Sequence, residues 1–267
     1  LSRQLARINT KEHLGGLIDA MRKLELQESL SENVRVSLYT RAGREYEAAL
    51  LAEEAAARAT RANSKPEALA FLESALKLSS PNTDSHEWAR LFLRAVNEIC
   101  RLRINLIRDI HAIPALLEQA YPVAERLGDL RTLARCDLVM GLYKYVIGQT
   151  AEGFRIIGSG LSQADALGDD DIMAISAEFR GVYYYLQGKY KEAVDSFEPV
   201  VRQGGLKSGQ TVPTFLPEHL ASSSALGYCS ALLGQHHRAI GVLDSHWRRS
   251  RMIKGNRNSC FYEALLG

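Results

Sequence analysis

No C-x-x-C pair occurs among the four cysteines, Cys100, Cys136, Cys229 and Cys260. Their spacing supports neither a zinc site nor a redox motif, and a chain of 267 residues has no need of a disulfide framework. The four read as buried or half-buried thiols. A dominant charge is missing too. The formal balance is +2, too little to imply a nucleic-acid or membrane partner by itself. No apolar run is long enough for a membrane span. The longest uncharged stretch, Ala221 to Gln235, is rich in Ser, Ala and Gly and falls short of the roughly 20 residues a span needs. The first residues, with Arg3 and Arg7, lack the apolar core of a signal peptide. These absences predict a cytoplasmic protein with no membrane contact.

Reactive constellations are missing as well. Gly204 to Thr211 mimics a phosphate-binding loop, but Gln210 stands where the lysine must be. The segment also follows a helical pattern instead of a strand, and Pro213 blocks the helix that should open there. His236 and His237 are adjacent, so on a helix they point about 100° apart and cannot share an ion as an i, i+4 pair could. Asp169, Asp170 and Asp171 are explained by a helix start. No Ser-His-Asp or Cys-His order with a nucleophile elbow is present. The expectation is a chain without enzymatic activity, catalytic residue, metal or cofactor.

What is present is a repeat. Leu127-Gly128-Asp129 recurs forty residues later as Leu167-Gly168-Asp169. Gly141 recurs as Gly181, and Gly148-Gln149 as Gly188-Lys189, at the same interval. The next step, Gly181 to Gly227 and Gly188 to Gly234, is six residues longer, and the excess falls in Gly204 to Pro217, where Gly, Ser and Pro cluster. Each unit reads as two helices. Ile172, Ile175, Phe179, Val182 and Leu186 follow helical spacing, and Gly188 interrupts them. Lys189 to Gln203 then forms the second helix, ended by Gly204-Gly205. Small residues at Gly141 with Gly153, Gly181 with Ala193, and Gly227 with Ala239 allow the two helices of a pair to pack closely.

Gly181, Tyr184, Tyr190, Ala193 and Phe197 fall at small and aromatic positions that resemble the tetratricopeptide repeat family. The longer period looks like that of variant arrays in bacterial regulators. The resemblance implies an all-α, right-handed superhelical solenoid of antiparallel helix pairs with repeats of about 40 residues. It runs from residue 38 to residue 267. Its first helices are Leu38 to Ala62 and Ser85 to Ile107, with Ala68 to Leu78 and Ile113 to Leu127 as second helices. The last repeat, from Asn256, is truncated. Residues 1–37 form a helical segment, a cap on the array or the tail of an upstream domain, with Leu14, Leu17, Ile18, Met21 and Leu24 as its apolar stripe. The absent initial Met and the end inside a helical pattern predict an excised piece of something longer. The stretch Arg41 to Leu78 resembles in composition the arrays of large bacterial signal-transduction ATPases and transcription regulators.

In repeat arrays the first helices line a concave groove. Five tyrosines lie on two of them: Tyr143, Tyr145, Tyr183, Tyr184 and Tyr185. Tyrosine offers contact area with a hydrogen-bonding tip. Tyr145 and Tyr184, with Arg180, are the expected partner-contacting residues. A basic patch, Arg248, Arg249, Arg251, Lys254 and Arg257 beside Trp247, could meet an acidic partner, phosphate or a following repeat. A smaller basic stretch is Arg101, Arg103 and Arg108. The reading is a protein- or ligand-binding sensor or scaffold of a larger signalling or transcription regulator, holding a protein, a peptide or a small inducer. Its alternatives are a stand-alone adaptor and a nucleic-acid binder using the basic patch. Self-association as a homo-oligomer stays open.

Overall fold

The computed structural model describes residues 10–23, 30–62, 64–106, 108–168, 170–206 and 222–251. Among them every extended regular element is an α-helix. In chain order these are α1 (Lys11–Lys23), α2 (Glu32–Arg41), α3 (Glu45–Arg61), α4 (Lys65–Ser79), α5 (His86–Leu106), α6 (Ile113–Leu127), α7 (Leu130–Val146), α8 (Thr150–Leu167), α9 (Asp170–Leu186), α10 (Tyr190–Leu206), α11 (Ser222–Leu232) and α12 (His236–Arg251). The chain divides into two compact units, Leu1–Ile99 and Cys100–Gly267.

In the first unit α3 is alanine-rich. Ala48, Ala49, Ala52, Ala55, Ala56 and Ala59 are all buried, so neighbouring helices approach its backbone closely at little cost in side-chain entropy. Ala49 and Ala52 pack with Ala75 of α4 and with Leu91 and Ala95 of α5, flanked by Tyr46 and Trp88 edge to face at 5.0 Å. The sequence reading placed one helix over Leu38 to Ala62; two are observed. Gly43, at φ +76°, sits in the left-handed region and ends α2, with the Arg44 N–H returning to the Tyr39 carbonyl. A single glycine in an apolar, helical pattern hides this stop.

α1 buries Leu14 and Ile18, the latter against Tyr39 and Ala48, while Leu17 is half exposed. Leu24 lies outside the described residues. Two ion pairs tie α1 to the start of α3, Arg22–Glu47 and Arg44–Asp19, each at 2.8 Å.

In the second unit the helices pack as consecutive antiparallel pairs, α7 with α8, α9 with α10, and α11 with α12. α7 opens on Asp129, whose carboxylate accepts from the Thr132 N–H at 3.1 Å and the Thr132 hydroxyl at 2.8 Å. Each pair turns on a left-handed glycine. Gly188, at φ +74°, is one of three at equivalent places, and its turn is closed by the Lys189 N–H to the Tyr184 carbonyl at 2.9 Å. The glycines inside the pairs are close contacts. A Cβ on Gly181 would lie 2.5 Å from the Phe197 ring, one on Gly141 2.6 Å from Ile157, and one on Gly227 2.6 Å from Leu243. Ile157, Phe197 and Leu243 are themselves related by the repeat. Ala193 and Ala239 are buried on the same second helices. α10 continues through Gly204 and Gly205 to Leu206 instead of ending at Gln203. Glycine costs only about 1 kcal/mol in a helix, too little by itself to stop one. Most of the six-residue insertion and the truncated last repeat lie outside the described residues.

Candidate functional site

The first helices of the second unit approach one another across the repeat, α9 touching both α7 and α11. The second helices α8, α10 and α12 meet each other less closely. The first-helix layer is therefore the inner side of this unit's curvature.

The contacts of α7 show which of its residues face inward. Ala134, Leu138, Gly141 and Tyr145 lie against α8. Asp137 is directed at second helices on both sides: it accepts from the Tyr121 hydroxyl of α6 at 2.7 Å and from the Gln163 side-chain amide of α8 at 2.7 Å. Burial and this carboxylate drive the Tyr121 hydroxyl's pKa well above the usual tyrosine value. Tyr143 meets His111 edge to face at 6.4 Å. The remaining stripe is Arg135, Leu142 and Val146. Leu142 and Val146 lie seven and eleven residues after Arg135, each within about 20° of it on a helix, and the three point away from Asp137. Leu142 is buried and Val146 exposed. By the repeat the same stripe on α9 holds Ile175, Val182 and Leu186, and on α11 Tyr228 and Leu232.

Beside this stripe lies an aromatic cluster. Tyr145 stacks at a tilt on Phe154 at 5.7 Å, and Phe154 meets Tyr183 edge to face at 5.5 Å. Tyr185 occupies the position in α9 that Tyr145 occupies in α7. Its hydroxyl pKa is raised, first by burial and then by Cys229, Tyr190, Tyr228 and Tyr145, which places these groups around it. Burial raises Tyr228 as well. Tyr145, Tyr185 and Tyr228 are each half-buried and stand on three successive first helices. The buried Cys229 thiol beside them is pushed up to about 11.

The predicted residues are distributed unevenly over this face. Tyr145 belongs to the cluster. Tyr184 is turned toward the start of α10, with the Lys189 ammonium 5.9 Å from its ring centroid. Arg180 is directed back at α8, where it forms an ion pair with Asp165 at 2.5 Å. Tyr185 packs on Tyr190, the first residue of α10, with ring centroids 6.2 Å apart, and Tyr228 stands on α11. Three adjacent tyrosines share one composition, so only the packing of α9 separates them, and Tyr228 stands alone in a Ser- and Ala-rich helix. Of the basic patch, Arg248 is exposed and paired with Asp244 at 2.9 Å. Arg249 and Arg251 lie in α12, while Lys254 and Arg257 are outside the described residues. Arg101 is buried. His236 and His237 are both exposed at the start of α12. Among the described residues no group of three or more His, Cys, Asp or Glu side chains could hold a metal ion, and no helix is long and apolar enough to cross a membrane.

No protein-family profile matches the chain, and no curated protein matches it. Among solved structures it is similar to NprR, in the crystal structure of NprR in complex with its cognate peptide NprX. The two are 18% identical with a TM-score of 0.60, over 98% of this chain and 69% of that one. At that identity the likeness shows the fold, a tetratricopeptide-like array of helix pairs.

Proposed function

We propose that this chain is a peptide-binding helical-repeat module, the sensor or scaffold part of a larger regulator, and that its inner aromatic face holds the peptide. The observation that carries this reading is the placement of Tyr145 and Tyr185 at equivalent positions of two successive first helices, with Tyr228 on the adjoining stripe of the third. Each presents a large, half-buried ring with few rotatable bonds, so contact area is offered at low entropic cost. Val146, 56% exposed, and Leu232, 59% exposed, extend the apolar surface at the same helix ends. The likeness to a fold solved with a peptide bound supports the same reading.

Binding acts by differential affinity. A peptide that contacts three first helices at once favours whichever packing of the array best presents all three, and so biases a domain attached to it.

The test is to immobilise the chain, expose it to a pool of random nonapeptides and identify the retained sequences by mass spectrometry. A defined subset should be retained, and its best member should bind Tyr185→Ala about tenfold or more weakly, the loss of a central anchor. Tyr184→Ala, directed at the turn, should bind nearly as well as the parent. Retention of no peptide above a blank surface would rule the reading out.

A further inference from the structure

We infer that the peptide is held as a polyproline II helix, with a proline facing the array at every third position. This rests on the peptide-binding reading and adds the conformation and composition of the ligand. The first helices α7, α9 and α11 each end on an aliphatic residue, Val146, Leu186 and Leu232. These recur at forty and forty-six residues, so they hold one place in each repeat. Beside each stands a ring: Tyr145 next to Val146, Tyr185 next to Leu186, and Tyr228 one turn before Leu232. Val146 and Leu232 are exposed, while Leu186 and the three rings are half-buried. None of the six side chains is charged at neutral pH, so in charge they match a neutral, apolar segment of chain.

A ligand crossing these helices meets one such set per helix. Packed helices have axes about 8–10 Å apart, and α9 packs on both α7 and α11. The ligand must therefore present the same side at that interval. A polyproline II helix does so, because three residues make one turn and rise about 9.3 Å. A β-strand covers about 10 Å in three residues, but the third step turns its side chain to the opposite face. An α-helix returns to the same side after about seven residues and 10.5 Å, but its backbone groups are bonded to one another.

The tyrosine tips separate these two candidates. Among the described residues Tyr145, Tyr185 and Tyr228 make no hydrogen bond through their hydroxyls. An α-helical ligand would cover them and offer no backbone acceptor. A polyproline II backbone has no internal hydrogen bonds, so its carbonyls are free to accept from them. Proline rings also pack on aromatic faces, and a chain already ordered before binding loses less entropy.

Three pentadecapeptide pools with blocked ends test this on the full chain. Either helical ligand of that length crosses all three first helices. One pool fixes three prolines at every third position, the second fixes three at every fourth, and the third contains none. Other positions are randomised. The every-third pool should be retained best. By fluorescence anisotropy its best member should bind at least tenfold more tightly than the same peptide with its prolines moved to every fourth position. Tyr145→Phe and Tyr185→Phe keep the rings and remove the hydroxyls, and each should weaken that peptide about three- to tenfold. Equal retention from the two proline pools, better retention from the proline-free pool, or unchanged affinity in both variants overturns the inference and leaves peptide binding intact. Retention from no pool overturns both. The comparison of spacings on the unaltered chain decides the question even where a variant folds poorly.

Discussion

At Gly181 the pair α9–α10 comes closest, and a methyl group there would stand 2.5 Å from the Phe197 ring. Gly181→Ala adds helix propensity, up to about 1 kcal/mol, but overpacks a buried contact at about 1–3 kcal/mol. Net destabilisation of about 1–2 kcal/mol is expected in the urea midpoint. Phe197→Leu in the same chain should recover part of it, because the smaller side chain vacates the space the methyl needs; simple additivity of the two losses would contradict the contact. The cysteines give a second prediction at this scale. Burial pushes Cys100 and Cys136 up to about 12 and Cys229 up to about 11. At pH 8 all three are thiols, and buried ones. In a Cys260→Ser background, a disulfide reagent should modify none of them until denaturant unfolds the chain. Rapid reaction in the native state would show that α5, α7 or α11 opens.

Among the elements, α1 is the one held by charge as much as by apolar contact. Glu47 accepts from both Arg44 and Arg22, and these bonds hold its carboxyl below the usual carboxylate range against the opposing effect of burial. A depressed acid stabilises the fold at pH values above the ordinary carboxylate pKa, and the stabilisation is lost as pH falls through the depressed one. The pair is exposed enough to contribute no more than about 1 kcal/mol. Glu47→Gln should therefore be slightly less stable than the parent at pH 7, and the two should converge as pH falls through the depressed pKa of Glu47. A difference that persists unchanged into acid would mean that Glu47 acts through packing. The turns depend on a different force. Gly188 adopts a backbone conformation that L side chains rarely take, and a Cβ there would meet nothing within 4 Å. Any loss in Gly188→Ala thus measures the dihedral penalty alone, about 1–2 kcal/mol by thermal or urea unfolding.

The second unit as a whole is a row of neighbours. α9 touches α7, α8, α10 and α11, and each helix pair packs on the next. In such an array a local defect is felt by its neighbours and fades beyond them. Gly181→Ala should therefore lower hydrogen-exchange protection in α9 and α10, less in α7 and α12, and not measurably in α3 and α4. Uniform loss over both units would show that the chain unfolds as one cooperative body. The same arrangement makes the inner face a composite surface. No single helix holds Tyr145, Tyr185 and Tyr228, so a ligand there reports on the spacing between repeats.

Much of the helix plan was legible in the residues. Ile113 to Leu127 forms the helix its spacing predicts, and Ser85 to Ile107 does so to within one residue of each end. The glycines that recur at forty and forty-six residues lie at turns or close contacts. Gly43 was not read as a stop, because one glycine in an alanine-rich pattern resembles a tolerated one. The candidate site was much less legible. Tyr183, Tyr184 and Tyr185 differ by 100° steps about one axis, and nothing local tells which step faces inward. The Asp137 junction, which joins α6, α7 and α8, unites residues 16 and 26 positions apart.

The division follows the range of the forces. Helix length, turn position and repeat period depend on contacts four or five residues away and on which residues tolerate a left-handed backbone, so they are written along the chain. Facing is different. Whether Tyr184 or Tyr185 looks inward depends on where helices from other repeats come to rest. That depends on burial summed over side chains far apart in sequence, such as Gly181 with Phe197, and is settled only when the pairs have stacked.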